Sequence, residues 1–205
     1  NNRVRKITPT GVVTTFAGSS GGTADGTGTN AQFGGPDGVA VDSSGNVYVA
    51  DYFNNRIRKI TSAGVVTTLA GSSRGSADGT GTNAQFDGPF GIAVDSSGVV
   101  YVASGYNNSI RKITPLGVVS TFATGFNLPS SAAVDSSGNV YVCDNSNHRI
   151  CKITSAGVVT TLAGSGSQGS TDGTGTNASF RSPWGVTVDS VSYTHLRAHE
   201  TGRNL

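Results

Sequence analysis

Apolar residues in this chain come in short runs, each bounded by Gly, Ser, Asn or Asp. After Pro36 four such runs follow in order: Gly38-Val-Ala-Val-Asp42, Asn46-Val-Tyr-Val-Ala-Asp51, Arg56-Ile-Arg-Lys-Ile-Thr61 and Gly64-Val-Val-Thr-Thr-Leu69. Their length and their Val, Ile, Thr and Tyr content predict β-strands. Asp42-Ser-Ser-Gly45 predicts a tight hairpin, with the Asp side chain capping the turn and Gly free to take positive φ. No apolar run is long enough to suggest a membrane span.

The pattern repeats. Gly-Val-Val-[Thr/Ser]-Thr starts at Gly11, Gly64, Gly117 and Gly157, and Val-Asp-Ser closes a run at Asp42, Asp95, Asp135 and Asp189. The latter positions lie 53, 40 and 54 residues apart, so a unit of about 40 residues recurs with an insert of 13 or 14 in some copies. The insert is itself repeated: Asp25-Gly-Thr-Gly-Thr-Asn30-Ala-Gln-Phe33 returns at 78–86 and 172–180, but shrinks to Thr124-Gly-Phe-Asn-Leu128 at the third junction. Four antiparallel strands per unit, repeated, predict an all-β fold of β-propeller blades. A β-helix would need shorter coils.

The motifs Pro-x-Gly-[Val/Ile]-Ala-Val-Asp, Gly-Asn-Val-Tyr-Val-Ala-Asp and Asn-Asn-Arg-Ile-Arg-Lys-Ile together resemble those of NHL-repeat proteins. The resemblance runs over residues 1–189 and implies a β-propeller, commonly six-bladed in that family. It divides the chain into a partial blade at 1–17, blades at about 36–70, 89–123 and 129–163, and a partial blade at 183–189. About four blades' worth of four-stranded sheets is expected, as a fragment of a longer, six-bladed parent. Residues 190–205 have no repeat counterpart and resemble translated adapter sequence appended to an assembled fragment. His195 and His199 in that tail have the spacing of two metal ligands, but no further ligand accompanies them. No metal site is assigned there.

Composition narrows the function classes. Thirty Gly and 13% charged residues exclude a coiled coil or helical bundle, and a net charge of +2 argues against binding by bulk charge. Basic residues do recur on the third strands, at Arg5-Lys6, Arg58-Lys59, Arg111-Lys112 and Lys152. Spacing by blade distributes them around the disc, without interleaved aromatics, so solvated strand edges and Asp pairing are preferred to a nucleic-acid surface.

In a propeller, the loops between second and third strands share a face with the blade-to-blade connections. That face is expected to collect Tyr52, Phe53, Tyr106 and His148, together with the residue after each blade-opening Pro: Asp37, Phe90, Ser130 and Trp184. Variable side chains on a constant scaffold mark Asp37, Phe90, Trp184, Tyr52, Phe53, Tyr106 and His148 as ligand-binding candidates. Asp51 with Arg56, and Asp144 with Arg149, are expected to form structural ion pairs, because both partners change together to Ser104 and Ser109 in the middle blade. Cys143 and Cys151 also appear together, on adjacent strands, and pairing about Asn147 would allow a disulfide. A disulfide would favour an oxidising compartment, hence a lean towards an extracellular or cell-surface setting. The insert could offer Ca2+ ligands at Asp25 and Asn30, but it lacks the acidic set of a calcium loop, so no cofactor is expected.

These readings favour a non-catalytic module that presents variable loops to a protein, glycan or small ligand. The alternative is a fragment of a metal-dependent propeller enzyme, lactonase-like or amidating-lyase-like. The repeats contain one His and no Glu, and no catalytic set can be assembled from them.

Overall fold

A computed structural model describes residues 1–189 and the backbone of 196–200. Among the described residues there is no α-helix; short strands and single 3-10 turns alternate throughout. Three complete antiparallel sheets stand side by side. The first runs from the inner strand Pro36–Val41 through Val47–Asp51 and Arg56–Ile60 to the outer strand Val65–Ala70. The second runs Pro89–Val94, Val100–Ser104, Ser109–Ile113 and Val118–Thr124, and the third Pro129–Val134, Val140–Asp144, Arg149–Ile153 and Val159–Ala163. Val4–Ile7 pairs with Val13–Ala17 before the first sheet, and Pro183–Val188 follows the third. Leu196–Glu200 pairs with Pro183–Val188 in the register of a second strand, which places Glu200 opposite Pro183 as Asp51 stands opposite Pro36.

The blades pack through both faces, as period-two side-chain geometry requires. Val100 and Val102 join Tyr48, Ala50 and Ile57 of the preceding blade in one buried cluster. Their sequence neighbours Tyr101 and Ala103 join Val140, Val142 and Ile153 of the following blade in another. A strand buried on both sides has no polar face, which accounts for unbroken runs such as Val-Tyr-Val-Ala. At the axis the inner strands approach closely. A Cβ at Gly91 would lie 2.5 Å from Ser131 Cα, and one at Gly38 would strike the Phe90 carbonyl oxygen, so both positions exclude a side chain. A cavity of ≈ 500 Å3 opens along these strands, lined mainly by backbone and by small or apolar side chains of residues 38–41, 91–94, 131–134 and 186–188.

The inserts do more than connect. Each of the first two leaves the outer edge of one blade, adds a two-residue fifth strand to the outer edge of the next, then turns inward under a buried Phe. Gly26–Thr27 pairs with Val65 and Val66, and Gly79–Thr80 pairs with Val118 and Val119. Phe33 and Phe86 are fully buried. Two of the three complete sheets are therefore five-stranded, whereas four strands per blade are expected from the repeat; the third sheet, which no insert precedes, keeps four.

Each of these two inserts is held by one arginine with no solvent exposure. Arg58 donates through Nη1 to Asp51 Oδ2 at 3.0 Å and to the Gln32 carbonyl at 2.8 Å. Through Nη2 it donates to Asp25 Oδ1 at 2.7 Å and to the Ala24 carbonyl at 3.0 Å. Its guanidinium lies 5.2 Å from the centre of the Phe33 ring. Arg111 repeats the arrangement with Asp78, Gln85, Ala77 and Phe86. Asp25 is thus the anchor of a strap, with its carboxylate engaged by Arg58 and Thr68. The third-strand lysines of the three complete blades lie over rings as well: Lys59 on Tyr48, Lys112 on Phe122 and Lys152 on Tyr141. At Arg58 and Arg111 the expected Asp pairing is present, but the expected solvated edge is not, because both are buried for a structural purpose.

Two expected pairings need correction. Asp51 pairs with Arg58 and not with Arg56, whose Nη1 reaches only the Thr23 carbonyl at 3.5 Å. The reason is depth: Arg58 lies under the strap, where Asp51 is also buried, whereas Arg56 lies at the hairpin mouth. The second expected pair is present, with Arg149 Nε donating to Asp144 Oδ2 at 2.8 Å. Here Cys151 replaces the buried arginine, which leaves Asp144 to the mouth residue. Cys143 and Cys151 are both free and buried. The strands register Cys143 opposite Ile150 and Cys151 opposite Val142, a one-residue offset that sends the two thiols to opposite faces of the blade. Cys143 joins the cluster with Val186, and Cys151 the cluster with Tyr101. Burial pushes the two thiols up to about 12 and about 11 respectively. The expectation of an oxidising compartment loses its disulfide support.

Candidate functional site

The second-to-third loops form 3-10 turns that end in a left-handed residue: Asn55, Asn108 and His148, with φ of 52°, 53° and 53°. Asn and His are among the non-glycine residues found in that conformation, where a polar side chain can form a hydrogen bond. Here the bond reaches across to the next blade. Asn55 Oδ1 accepts from Gly88 N–H at 3.2 Å, Asn108 Oδ1 from Leu128 N–H at 2.9 Å, and His148 Nδ1 from Ser182 N–H at 3.1 Å. Asn2 makes the same contact with Gly35. His148 therefore acts as an inter-blade latch, with its ring proton on Nε2. This is a structural task that the sequence position shared with Asn55 and Asn108 foreshadows.

The same loops bond to the connecting segments. Phe53 N–H donates to the Gly34 carbonyl at 2.8 Å, and Tyr106 N–H to the Asp87 carbonyl at 3.2 Å. Loops and connections thus share one mouth of the channel, and five of the sequence-selected aromatics meet there. Tyr52 stacks on Phe90 with ring centres 5.0 Å apart, and Phe53 packs edge-on to Tyr52 at 4.7 Å. Tyr106 lies 5.8 Å from Phe90, and its hydroxyl shares a 2.9 Å hydrogen bond with that of Tyr52. Trp184 meets the other edge of Phe90 at 5.7 Å. The two rings reach each other over Ser130, whose buried hydroxyl donates to the carbonyls of Pro183 and Trp184. Gly105 makes room as well, since a Cβ there would strike the Phe90 ring.

Phe90 is the buried hub of this cluster, at 7% exposure, while Phe53, Tyr106 and Trp184 remain 74%, 52% and 39% exposed. The mouth is thus an aromatic rim whose floor is packed and whose edge is open. Tyr52 is driven up to about 12 by its bond to Tyr106, then by burial and the charges of Asp37 and Asp87. Asp37 lies beside this group on an exposed position, yet partial burial of its carboxyl raises it above the usual range. Of the candidates, Asp37, Tyr52, Phe53, Tyr106, Phe90 and Trp184 fall at one mouth. His148 stands in the next latch along it.

Three residues of the rim escaped sequence selection. A cavity of ≈ 330 Å3 beside Tyr52, Phe53 and Tyr106 is completed by Asn55, Arg74 and Asp87. Arg74 Nε donates to Asp87 Oδ2 at 2.9 Å. Both depart together from the repeat, where Gly21 and Gly34 stand in the first copy. Paired departure was the available signal, and it is the same signal that identified Asp144 with Arg149.

Among the described residues, no group of three or more His, Cys, Asp or Glu is placed to share a metal ion. His195 lies outside the described residues, and of His199 only the backbone is described. No described helix is long and apolar enough to cross a membrane.

Comparison with known proteins agrees with the architecture. Residues 33–60 and 126–153 match the NHL repeat. Over 94 residues, 45% of its length, the chain is 35% identical to Protein SUPPRESSOR OF QUENCHING 1, chloroplastic, of Arabidopsis thaliana, and covers 9% of that protein. The virginiamycin B lyase of Staphylococcus aureus aligns over 91% of this chain at 18% identity, with a TM-score of 0.59. A chain of a nidogen/laminin complex aligns over 91% at 18% identity, with a TM-score of 0.66. This chain spans 53% and 60% of those two structures. At such identities the likeness establishes the fold alone.

Proposed function

We propose that this NHL-repeat β-propeller chain is a non-catalytic binding module that engages its ligand at the aromatic rim. The observation that carries this reading is the convergence of Tyr52, Phe53, Phe90, Tyr106 and Trp184, from separate blades, at one mouth of the channel. A packed hub with exposed flanking rings is the arrangement of a binding hot spot, because large rigid side chains lose little entropy on contact. The positions are also the variable ones in an otherwise repeated scaffold. Protein, glycan and small-molecule ligands are the classes that such a surface serves. The nidogen/laminin complex is an assembly in which one chain has this fold, and it supports binding as a use of this architecture.

The competing reading is a metal-dependent enzyme, and the virginiamycin B lyase among the structural neighbours supports catalysis as another use of this fold. It requires a ligand set at the channel, and a stoichiometric metal found there by elemental analysis would favour it. The binding reading is tested by screening labelled protein against arrays of glycans, peptides and small metabolites, then repeating the hits with Phe53→Ala and Trp184→Ala. Both side chains are exposed enough to be removed without dismantling the hub. Loss of at least tenfold in affinity is expected, and full retention by both variants overturns the rim as the site.

A further inference from the structure

The cavity beside Tyr106 has a wall chemistry that selects among ligand classes. Three aromatic side chains, Tyr52, Phe53 and Tyr106, line it. The ion pair of Arg74 and Asp87, with side-chain exposures of 75% and 14%, lines it with them. The pair uses only Nε of the arginine and Oδ2 of the aspartate. Among the described residues, no further hydrogen bond engages the Arg74 Nη groups or Asp87 Oδ1, which leaves them for a ligand. Asn55 spends its Oδ1 on the Gly88 latch and keeps its amide donors.

Charge eliminates most occupants. An organic cation on the aromatic wall would meet the guanidinium of Arg74, and an anion would meet Asp87. A wholly apolar ligand would strip water from both members of the pair without replacing the lost hydrogen bonds. What fits is a neutral molecule that carries donors and acceptors around its edge and C–H groups on its flat face. Ring faces attract such C–H edges through their negative quadrupole, and ≈ 330 Å3 is in the lower part of the range of ligand pockets.

We infer that this cavity is a carbohydrate subsite, holding a neutral sugar ring against its aromatic side chains and the Arg74–Asp87 pair. The inference rests on the rim-binding reading and names its ligand class. It is particular to this junction. The repeat places Gly21 and Gly34 where Arg74 and Asp87 stand, so the preceding copy has the backbone without the polar wall. At the third junction Ser146 replaces the ring of Tyr106, and the insert that carries Arg74 is absent.

The test is saturation-transfer NMR and calorimetric titration of the chain with methyl glycosides of neutral hexoses and their short oligosaccharides. Tetramethylammonium and a methyl uronide serve as the cationic and anionic probes. Four variants accompany the wild type: Tyr106→Ala, Phe53→Ala, the double change Arg74→Gln with Asp87→Asn, and Leu116→Ala. Leu116 is exposed on a third-to-fourth-strand turn at the opposite mouth and serves as the control. The expected result is saturable binding of a neutral glycoside, at least tenfold weaker in Tyr106→Ala, Phe53→Ala and the double variant, and unchanged in Leu116→Ala. Thermal melts identify any variant that has lost its fold, and Phe53→Ala, the most exposed of the rings, carries the result if Tyr106→Ala has. Failure of every neutral glycoside to bind overturns the carbohydrate assignment. If a charged probe then binds and the rim variants abolish it, the rim stands as the site with another ligand class. If binding is insensitive to all the rim variants, both readings fall.

Discussion

The first and third complete blades share their inner motif and differ in what covers the third strand. In the first, an insert straps the outer edge, and Arg58 fills the space beneath it with two carboxylates and two carbonyls as partners. In the third, the connection is short, Cys151 fills the equivalent space, and Arg149 takes Asp144 from the hairpin mouth. A buried guanidinium is tolerable only where its donors are met, and the strap supplies most of those acceptors. Without a strap the same position must be small and uncharged. The middle blade is intermediate: strap and Arg111 are present, but Ser104 replaces the buried carboxylate. The arginine belongs with the strap, therefore, and not with the aspartate.

The largest expected effect breaks this comparison directly. Arg58→Met strands Asp51 in the interior and should cost about 3–5 kcal/mol. Arg111→Met leaves only unpaired carbonyls and the half-exposed Asp78, and should cost about 1–3 kcal/mol. Denaturant midpoints compared at constant slope measure both. Equal losses would show that the buried carboxylate contributes nothing to the difference.

A second measurement sharpens the account of the unstrapped blade. Burial that holds the Cys143 and Cys151 thiols at about 12 and about 11 leaves them protonated at pH 8, and protonated thiols are poor nucleophiles. Iodoacetamide at that pH should leave the folded chain unmodified, and should label both thiols after unfolding without reductant. Two labels in the folded protein, or none in the unfolded one, would contradict the packing described.

The smallest effect is one the two blades share. Burial works to raise the carboxyls of Asp42 and Asp135, but bonds from Asn46 or Asn139, a Tyr hydroxyl and turn N–H groups outweigh it and lower both. A folded-state pKa below the unfolded value, near 3.9, means that the unfolded chain binds more protons at acid pH. The associated stability is complete above that value and is lost as pH falls through the folded-state pKa. Asp42→Asn and Asp135→Asn should each shallow the acid limb of the stability curve by a similar amount. A clear inequality would tie these hairpins to the presence of the strap.

Much of this architecture was legible in the sequence because repeats average out local ambiguity. Four copies of one strand pattern identify blades where a single copy could be read several ways. The rim candidates were legible for the converse reason: Phe90 and Trp184 stand out against near-constant surroundings. Pairings shifted by one or two residues were not. Arg56 and Arg58 differ by depth below the strap, and sequence carries no measure of depth. The hairpin centre at Cys143 and Cys151 was misplaced by half a residue, and strand parity turns so small an error into opposite faces.

The chain's own pattern thus determines the blades, the hairpins, the inserts and the mouth on which the variable residues gather. These follow from periodicity and turn chemistry, which act over a few residues. Only the tertiary structure decides that the insert is a strap with a fifth strand, that Arg58 and Arg111 are interior, that His148 is a latch, and that Arg74 and Asp87 complete a cavity with Tyr106. Those outcomes depend on which segments meet across a blade boundary, at distances along the chain that no local pattern records.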